Sequence, residues 1–385
     1  MTEVGVIPED WNVVSLNDVC IKIQDGTHFS PKPGGNDYYY ITSKNIAIGH
    51  LDLSDVSRID ALQHRNIYKR CDVKVGDLLL TKDGVNTGNA AMNDLDEEFS
   101  LLSSVAMLRF HISIYHPQYF MYQILSDLGQ NRIRGLMSGN AITRLTLEKI
   151  RLLRFPSPTS LDEQRCISGL LSNIDSLITS LEKLIGKKKL IKQGAMQELL
   201  TGKKRLPGFS GKWETKRLGD IASITKGVQL NVSDFTNNGV YPVMNGGILP
   251  SGSTDSFNTK SGSIIISEGG NSCGYVNYMT EDFWRGGHCY EVVANIEKLF
   301  TYHVLKYNER GIMNLRVGSG LPNIQKKRLL DLCVSYPNTD EQKAISDVLE
   351  SMDSEIKALT QQLSKYRLIK EGMMQELLTG RIRLI

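Results

Sequence analysis

The sequence lacks the short motifs by which many enzymes are recognised. Its 385 residues contain no G-x-x-x-x-G-K-[ST] phosphate loop and no H-E-x-x-H metal motif. A Pro-Pro dipeptide is also missing, which excludes the Asn-Pro-Pro or Asp-Pro-Pro motif of amino-methyltransferases. These absences argue against a self-contained methyltransferase or nuclease.

Cysteine is scarce, and long apolar runs are missing. The six cysteines form no C-x-x-C pair, so we expect reduced thiols and no zinc site. No apolar run reaches membrane-spanning length, and the N-terminal segment lacks the basic start and apolar stretch of a signal peptide. We therefore expect a cytoplasmic protein that is not attached to a membrane.

The net charge is small, at +3, but it is unevenly distributed. Basic residues cluster at 187–189, at Lys192 and at 203–205. This run either faces nucleic acid or forms the solvated surface of a helix and a linker. Net charge alone does not decide between the two.

What the chain does contain is a long internal repeat. Residues 190–202 read Leu-Ile-Lys-Gln-Gly-Ala-Met-Gln-Glu-Leu-Leu-Thr-Gly, and residues 368–380 read Leu-Ile-Lys-Glu-Gly-Met-Met-Gln-Glu-Leu-Leu-Thr-Gly. When 162–202 is aligned with 340–380, an offset of 178, 22 of 41 positions are identical. Agreement of this length excludes chance, so the chain is built from two related units.

Both repeated segments have the periodicity of long helices that pair with another helix. Apolar residues alternate at spacings of four and three, which defines a heptad seam with polar flanks. An acidic Asp-Glu pair opens each segment and a glycine, Gly202 or Gly380, closes it, as expected at helix ends. The predicted helix-pairing seam comprises Ile167, Leu171, Ile174, Ile178, Leu181, Ile185, Ile345, Leu349, Met352, Ile356, Leu359 and Leu363.

Outside the helices the pattern changes to short β-rich runs separated by glycine and asparagine turns. We predict a globular domain at 1–158, a helical region at 159–202, a linker at 203–212, a second globular domain at 213–336 and a second helical region at 337–385. The predicted fold class is α/β, with two mixed α/β domains separated by two long helices that pair as an antiparallel coiled coil. The sequence resembles a circle opened in one linker, so we expect circular pseudo-two-fold symmetry.

Polar loops flanked by glycine recur in both predicted globular domains. Their Asn, Gln, Arg, Lys, Ser and Thr side chains are the types that read base edges and bind phosphates, although surface loops are commonly polar anyway. Two such sets on two similar domains favour DNA binding more than any single loop does. The candidate DNA-contacting residues of the first domain are Lys22, Gln24, Thr27, His28, Ser43, Lys44, Asn45, Lys82, Asn86, Thr87, Arg132, Arg134, Asn140, Thr143 and Arg144. Those of the second domain are Lys226, Gln229, Asn245, Asn271, Arg285, His288, Arg316, Ser319, Asn323 and Lys326.

The second domain also contains two Gly-Gly loops, at 268–273 and 285–289. His288 and Cys289 are adjacent there, but no second ligand pair lies at metal-site spacing, so we expect no bound metal. Gly-Gly loops let the backbone approach a ligand closely, which suits base reading. The alternative is that they are simply tight turns.

The helical repeat resembles a known family. The pattern Asp-Glu-Gln, then heptads, then Leu-Ile-Lys-x-Gly-x-Met-Gln-Glu-Leu-Leu-Thr-Gly is similar to the helical regions of specificity subunits of type I restriction–modification systems. Further similarity lies at residues 25–31, 41–46, 75–80 and 141–145, and in the second domain at 262–266 and 320–324.

This resemblance implies that each globular domain is a target recognition domain that reads one half of an asymmetric bipartite DNA sequence. It also implies that the helices set the spacing between the halves and dock two modification (methyltransferase) subunits. Those subunits would bind S-adenosylmethionine, so we expect neither a cofactor nor catalytic residues on this chain. Restriction subunits with motor and nuclease activity would complete the complex.

A second hypothesis belongs to a different class. In it, the chain is a coiled-coil scaffold whose globular domains bind protein rather than double-stranded DNA. Neither the DNA sequence nor the spacer length is predictable from the loops, because no pairwise code links side chains to bases and DNA shape contributes to recognition.

Overall fold

The computed structural model describes residues 6–32, 35–137, 144–318, 320 and 322–384. The chain divides into two compact units, which we call unit 1 (1–181 and 362–385) and unit 2 (182–361). Each unit contains one globular domain together with parts of both long helices. The division between the units therefore cuts through the predicted helical regions.

The globular part of unit 1 has three sheets. Its four-stranded sheet has the order β2-β8-β5-β6, its three-stranded sheet has the order β4-β3-β7, and β1 pairs with β9. The elements are β1 (Trp11–Ser15), α1 (Leu16–Val19), β2 (Cys20–Asp25), β3 (Tyr38–Ile41), a 3-10 turn (Ser43–Asn45), β4 (Ser57–Ile59), α2 (Ala61–Tyr68), β5 (Leu78–Thr81), β6 (Ala90–Met92), β7 (Phe99–Leu101), β8 (Val105–Phe110), α3 (Pro117–Leu125), α4 (Asp127–Leu136), α5 (Leu147–Arg151) and β9 (Arg154–Pro158).

The globular part of unit 2 repeats the same three sheets. Their orders are β11-β17-β14-β15, β13-β12-β16 and β10-β18, which match unit 1 strand for strand. After α6 (Leu161–Leu199), the elements are β10 (Glu214–Arg217), α7 (Leu218–Ile221), β11 (Ala222–Lys226), a 3-10 turn (Val232–Asp234), β12 (Tyr241–Met244), β13 (Gly252–Thr254), β14 (Ser263–Ser267), β15 (Val276–Met279), β16 (Trp284–Arg285), β17 (Cys289–Ala294), α8 (Lys298–Tyr307), α9 (Glu309–Met313), α10 (Lys326–Leu330), β18 (Cys333–Tyr336) and α11 (Thr339–Leu377).

The two long helices, α6 and α11, pack against each other as the sequence predicts. In unit 2, Lys188 of α6 pairs with Glu355 of α11 at 2.6 Å, and Lys192, one turn later, pairs with the earlier residue Asp353. Because the partner number falls as the α6 number rises, the helices run antiparallel. The predicted α/β fold with two long paired helices is confirmed.

All twelve seam residues are buried or half-buried. Ile167 and Leu171 of α6 belong to the hydrophobic core of unit 1, and Ile345 and Leu349 of α11 belong to that of unit 2. The first turns of each helix are therefore part of a globular core as well as of the helix pair. Burying this apolar stripe is the main favourable contribution to helix packing.

Each unit contains the same contact between a tryptophan ring and the glycine that follows the end of a long helix. In unit 2, a side chain added to Gly202 would meet the ring of Trp213, and Gly202 has φ +67°. In unit 1, Gly380, with φ +73°, faces the ring of Trp11. A covalent linker joins the two residues in unit 2, whereas in unit 1 they come from the two ends of the sequence. This is the circular organisation that the sequence predicts.

None of the described helices combines the length and the apolar character needed to cross a membrane.

Candidate nucleic-acid interface

In each unit, the candidate loops lie together at one edge of the four-stranded sheet. In unit 1, Asp25 of β2 and Leu80 of β5 both lie opposite Ala106 of the intervening β8. Both outer strands run antiparallel to β8, so they end at the same edge of the sheet. In unit 2, Lys226 of β11 and Ile266 of β14 both lie opposite Tyr290 of β17. The loops after these strands are neighbours in space.

In unit 1 this edge contains a buried cluster of charges. The Lys82 Nζ lies 2.9 Å from Asp83 Oδ2 and 3.6 Å from Asp25 Oδ2. Asp25 also lies 3.2 Å from Arg70 Nη2 and 3.4 Å from His28 Nε2. The side chains of Lys82 and Asp25 are only 2% and 5% exposed. Pairing with several opposite charges offsets the cost of burying them.

Exposed polar side chains surround this cluster. The Arg144 Nε lies 3.3 Å from Asp83 Oδ1, and the Arg144 side chain is 56% exposed. The Asn86 Nδ2 donates to the carbonyl oxygen of Ser43 at 3.3 Å, which joins the loops after β5 and β3. The structure thus brings His28, Ser43, Asn86 and Arg144 to one edge.

Unit 2 has an ion pair at the same edge, with the charges exchanged between strands. The Lys226 Nζ lies 2.7 Å from Glu268 Oε1, and the Glu268 Oε2 lies 3.6 Å from His288 Nδ1. The Tyr290 hydroxyl lies 3.0 Å from Glu268 Oε1. Lys226 occupies the strand position of Asp25, and Glu268 follows β14 as Lys82 follows β5.

The loops of unit 2 enclose an open cavity of about 560 Å³. Its lining includes predicted contact residues from four loops, namely Lys226, Asn245, Asn271, His288 and Asn323, together with Glu268. Asn323 forms an isolated bridge to Gly269, in the same way that Arg144 bridges to Asp83 in unit 1. The cavity presents both hydrogen-bond donors and acceptors, as base-edge recognition requires.

Three predicted contact residues do not present their side chains to solvent. Thr27, Asn45 and Lys82 are 4%, 2% and 2% exposed. The Asn45 Nδ2 donates to the Asp52 carbonyl at 3.0 Å, and the Asn45 Oδ1 accepts from the Thr42 backbone at 3.1 Å. In the structure the polar groups of these three residues hold the loops together, and direct contact with DNA by them stays a prediction.

Several other candidates bond elsewhere within the protein. Lys22 pairs with Asp72, and Arg132 donates to the backbone carbonyl of Arg154. Arg285 lies 3.0 Å from Glu291 and donates to the Thr225 hydroxyl at 2.9 Å.

The remaining candidates differ in exposure. The exposed ones are His28, Lys44, Asn86, Arg134, Arg144, Lys226, Gln229, Asn271, His288, Arg316, Asn323 and Lys326. Gln24, Ser43, Thr87 and Asn245 are half-buried. Asn140, Thr143 and Ser319 lie outside the described residues. DNA contact by the exposed and half-buried candidates stays a prediction.

Sequence reasoning missed the acidic partners Asp25, Asp83 and Glu268. Acidic groups repel phosphate, yet in the structure these three neutralise and orient the lysines beside them. The available signal was their position, directly after a β-rich run and next to a glycine.

The edge of unit 2 is poorly suited to nucleophilic catalysis. Burial raises the pKa of the Cys289 thiol to about 11, so it is protonated at neutral pH. Residues 270–274 match the pattern G-x-S-x-G, but they form a turn between the antiparallel strands β14 and β15 rather than a strand-to-helix elbow. The adjacent His288 and Cys289 are therefore not a nucleophile pair.

Comparison with known proteins agrees with this geometry. The family model for the type I restriction modification DNA specificity domain matches the chain twice, at 8–193 and 210–365. This chain belongs to that family. Each of its matches covers a globular domain and continues into a long helix, so the domain repeat found in the sequence is a repeat of the family's own unit.

Some of the relatives span nearly the whole chain. A type I restriction enzyme specificity subunit (MjaVIII) of Methanocaldococcus jannaschii is 25% identical over 414 residues, covering 98% of this chain and 94% of the relative. The crystal structure of a type I S subunit from M. genitalium superposes with a TM-score of 0.70 at 18% identity, covering 98% of both chains. A chain from a study of type I complex assembly superposes with a TM-score of 0.59 at 16% identity, covering 98% of this chain and all of that one. This protein is therefore a non-catalytic specificity subunit by family.

Proposed function

We propose that this specificity subunit recognises an asymmetric, bipartite DNA sequence, with one globular domain reading each half. The helices α6 and α11 set the spacing between the halves and dock two modification subunits. S-adenosylmethionine is bound by those subunits and not by this chain. Restriction subunits join the same complex.

The observation that carries this proposal is a shared scaffold with different loop tips. The two globular domains have the same strand order, yet Asp25 and Lys82 in one are matched by Lys226 and Glu268 in the other. Domains of one fold that present different donors and acceptors are suited to reading different bases. Two unlike halves make an asymmetric target.

The repeated helices support docking of two copies of one partner. Leu190 of α6 and Leu368 of α11 occupy the same repeat position and are 70% and 69% exposed. Ile191 and Ile369 follow them and are 47% and 38% exposed. An exposed apolar pair that occurs twice fits a protein surface that is covered twice.

Methylome sequencing tests DNA recognition directly. Cells that express the cognate modification subunit are compared with and without this gene, and a bipartite methylated motif is expected only when the gene is present. Exchanging residues 213–336 for those of another family member is expected to change one half of that motif. A motif that survives deletion contradicts the proposal, and a change in both halves contradicts the assignment of one half to each domain.

Native mass spectrometry with the purified modification subunit tests docking. Leu190→Glu and Leu368→Glu are each expected to leave one modification subunit bound, and the double variant none, because a buried charge opposes the contact. Leu249→Glu, at a position that is 75% exposed in a globular loop, is the control and leaves two bound. Two subunits bound to the double variant would refute this docking surface.

A further inference from the structure

Unit 2 contains a buried histidine beside two carboxylates, outside the loop edge described above. His303 of α8 is 0% exposed, and neither ring nitrogen makes a hydrogen bond to any residue that the structure describes. Its Nε2 lies 3.2 Å from a Glu350 oxygen on α11, without the alignment of a hydrogen bond. Asp353 lies three residues further along α11, so both carboxylates are on one helix face. The ligand atoms of all three residues lie within 4.8 Å of one another.

The ring of His303 is neutral at physiological pH. Burial, with a contribution from the nearby Lys192, lowers the pKa of its imidazole to about 4. A neutral imidazole has a lone pair on one nitrogen, which a metal ion can accept. Lys192 also pairs with Asp353, and it is the positive charge that a cation would displace.

We propose that His303, Glu350 and Asp353 bind a divalent transition-metal ion such as Zn²⁺. One imidazole nitrogen and two carboxylate oxygens are a usual ligand set for this ion, and water completes its coordination. Binding breaks the ion pair between Asp353 and Lys192 and releases the lysine to solvent. The metal links α8 of the globular domain to α11, so it ties the domain to the long helix.

Unit 1 shows the same place filled without a metal. The Gln164 side chain accepts from the backbone N–H of His116, and the Gln342 side chain accepts from that of Glu297. These equivalent hydrogen bonds align the two units. Tyr122 and His303, each six residues after the donor, therefore occupy the same position.

The Tyr122 hydroxyl donates to Asp175 Oδ2 at 2.9 Å, and Lys370 lies 2.6 Å from Asp175 Oδ1. Ser172 stands at the repeat position of Glu350. In unit 1 the tyrosine thus donates a hydrogen bond to Asp175. In unit 2 the equivalent carboxylate, Asp353, lies beside His303, which makes no such bond within the described part of the chain.

Metal titration of the full-length chain tests the proposal. After treatment with EDTA, the protein is titrated with Zn²⁺ by calorimetry and with Co²⁺ by visible absorption, and about one equivalent is expected to bind. His303→Tyr and Glu350→Ser are expected to abolish that equivalent. Lys192→Met is expected to raise the affinity at least several-fold, because it removes the competing cation. Tyr122→Phe, at the matched position of unit 1, leaves the titration unchanged.

Circular dichroism without metal checks that each variant is folded. Should His303→Tyr fail to fold, Glu350→Ser carries the test, because Glu350 is 42% exposed and tolerates replacement. His288 and Glu268 are intact in every variant, so binding at the loop edge would persist in all of them. No binding by the unaltered chain, or undiminished binding by folded Glu350→Ser, overturns the proposal.

Discussion

Unit 1 and unit 2 each pair an arginine with a buried glutamate at the same repeat position. In this ion pair the two units have nearly the same chemistry. Arg383 lies 2.5 Å from Glu163, and Arg205 lies 2.5 Å from Glu341. Both glutamates are at the start of a long helix and are at most 1% exposed. At the loop edge the units differ in sign, burial and side-chain type. The framework is thus held fixed by partners that are costly to remove, while the edge is free to vary.

The reversal at the loop edge shows which feature of that edge the fold requires. Each unit places opposite charges at the ends of the two strands that flank one central strand, namely Asp25 and Lys82 in unit 1 and Lys226 and Glu268 in unit 2. The fold therefore requires compensation and not a particular sign. Unit 1 buries both partners, whereas the Lys226 side chain is 52% exposed. A swap of sign with a change of burial alters what the edge presents to a ligand.

The largest expected effect is the loss of stability when the ion pair between arginine and buried glutamate is removed from either unit. Arg205→Ala and Arg383→Ala each leave a buried glutamate without its cation, and each is expected to cost about 3–5 kcal/mol of unfolding free energy. Urea denaturation followed by circular dichroism measures the loss. Losses of similar size are expected because both glutamates are buried, although Arg383 also pairs with Asp10 whereas Arg205 donates to the Gly211 carbonyl.

Arg381→Ala is the control for this pair of variants. Arg381 is 67% exposed and pairs with Glu376 on the surface, so its removal is expected to cost less than about 1 kcal/mol. A loss from Arg383→Ala no larger than that from Arg381→Ala would show that the framework does not depend on the ion pair.

A smaller effect, in the pH dependence of stability, distinguishes the units at His303 and Tyr122. The folded-state pKa of His303 is about 4, below its ordinary value of 6.5, so the unfolded chain binds more protons between these values. His303 therefore lowers stability as pH falls from 6.5 towards 4. Burial raises the pKa of Glu350, which has the opposite effect and offsets part of this loss.

Urea denaturation in EDTA at pH 7 and pH 4.5 measures this contribution. His303→Tyr is expected to lose about 2 kcal/mol less than the unaltered chain between the two pH values. Tyr122→Phe, the matched change in unit 1, is expected to leave the pH dependence unaltered because a tyrosine does not titrate in this range. An unchanged slope in His303→Tyr would show that folding does not lower the pKa of His303.

The long helices could be predicted from the sequence almost to their ends. The predicted regions 159–202 and 337–385 contain α6, Leu161–Leu199, and α11, Thr339–Leu377. Helix periodicity is a local signal, and a heptad seam that occurs twice, at 167–185 and at 345–363, leaves little ambiguity. The second copy of the repeat indicated which segment pairs with the first long helix.

The loop edge could be predicted only in outline. Loop composition indicated segments that the structure brings together, but it did not indicate that Lys82 is buried or that Asp25 pairs with it. That pairing depends on both strands flanking β8, which is a non-local arrangement. The shared strand order of the two domains could not be predicted from the sequence either, because their loops differ in length and their sequences diverge.

The smallest expected effect sharpens the contrast at the loop edge itself. Lys82→Met leaves Asp25 buried with only Arg70 and His28 beside it, and is expected to cost about 1–2 kcal/mol of unfolding free energy. Lys226→Met removes a half-exposed partner of Glu268, which keeps its contact with Tyr290, so the expected cost is below about 0.5 kcal/mol.

Urea denaturation of the two variants, with Lys44→Met as a control at an exposed ion pair, gives the comparison. The Lys44 partner, Asp55, is 92% exposed, so no measurable loss is expected from that control. Under the proposed function, methylome sequencing would show the reverse order, with Lys226→Met altering its half of the motif more than Lys82→Met alters the other. The reason is that Lys82 is buried beneath its loop, whereas Lys226 lines the cavity. Equal stability losses in Lys82→Met and Lys226→Met would mean that burial of the pair in unit 1 is not what distinguishes the two edges.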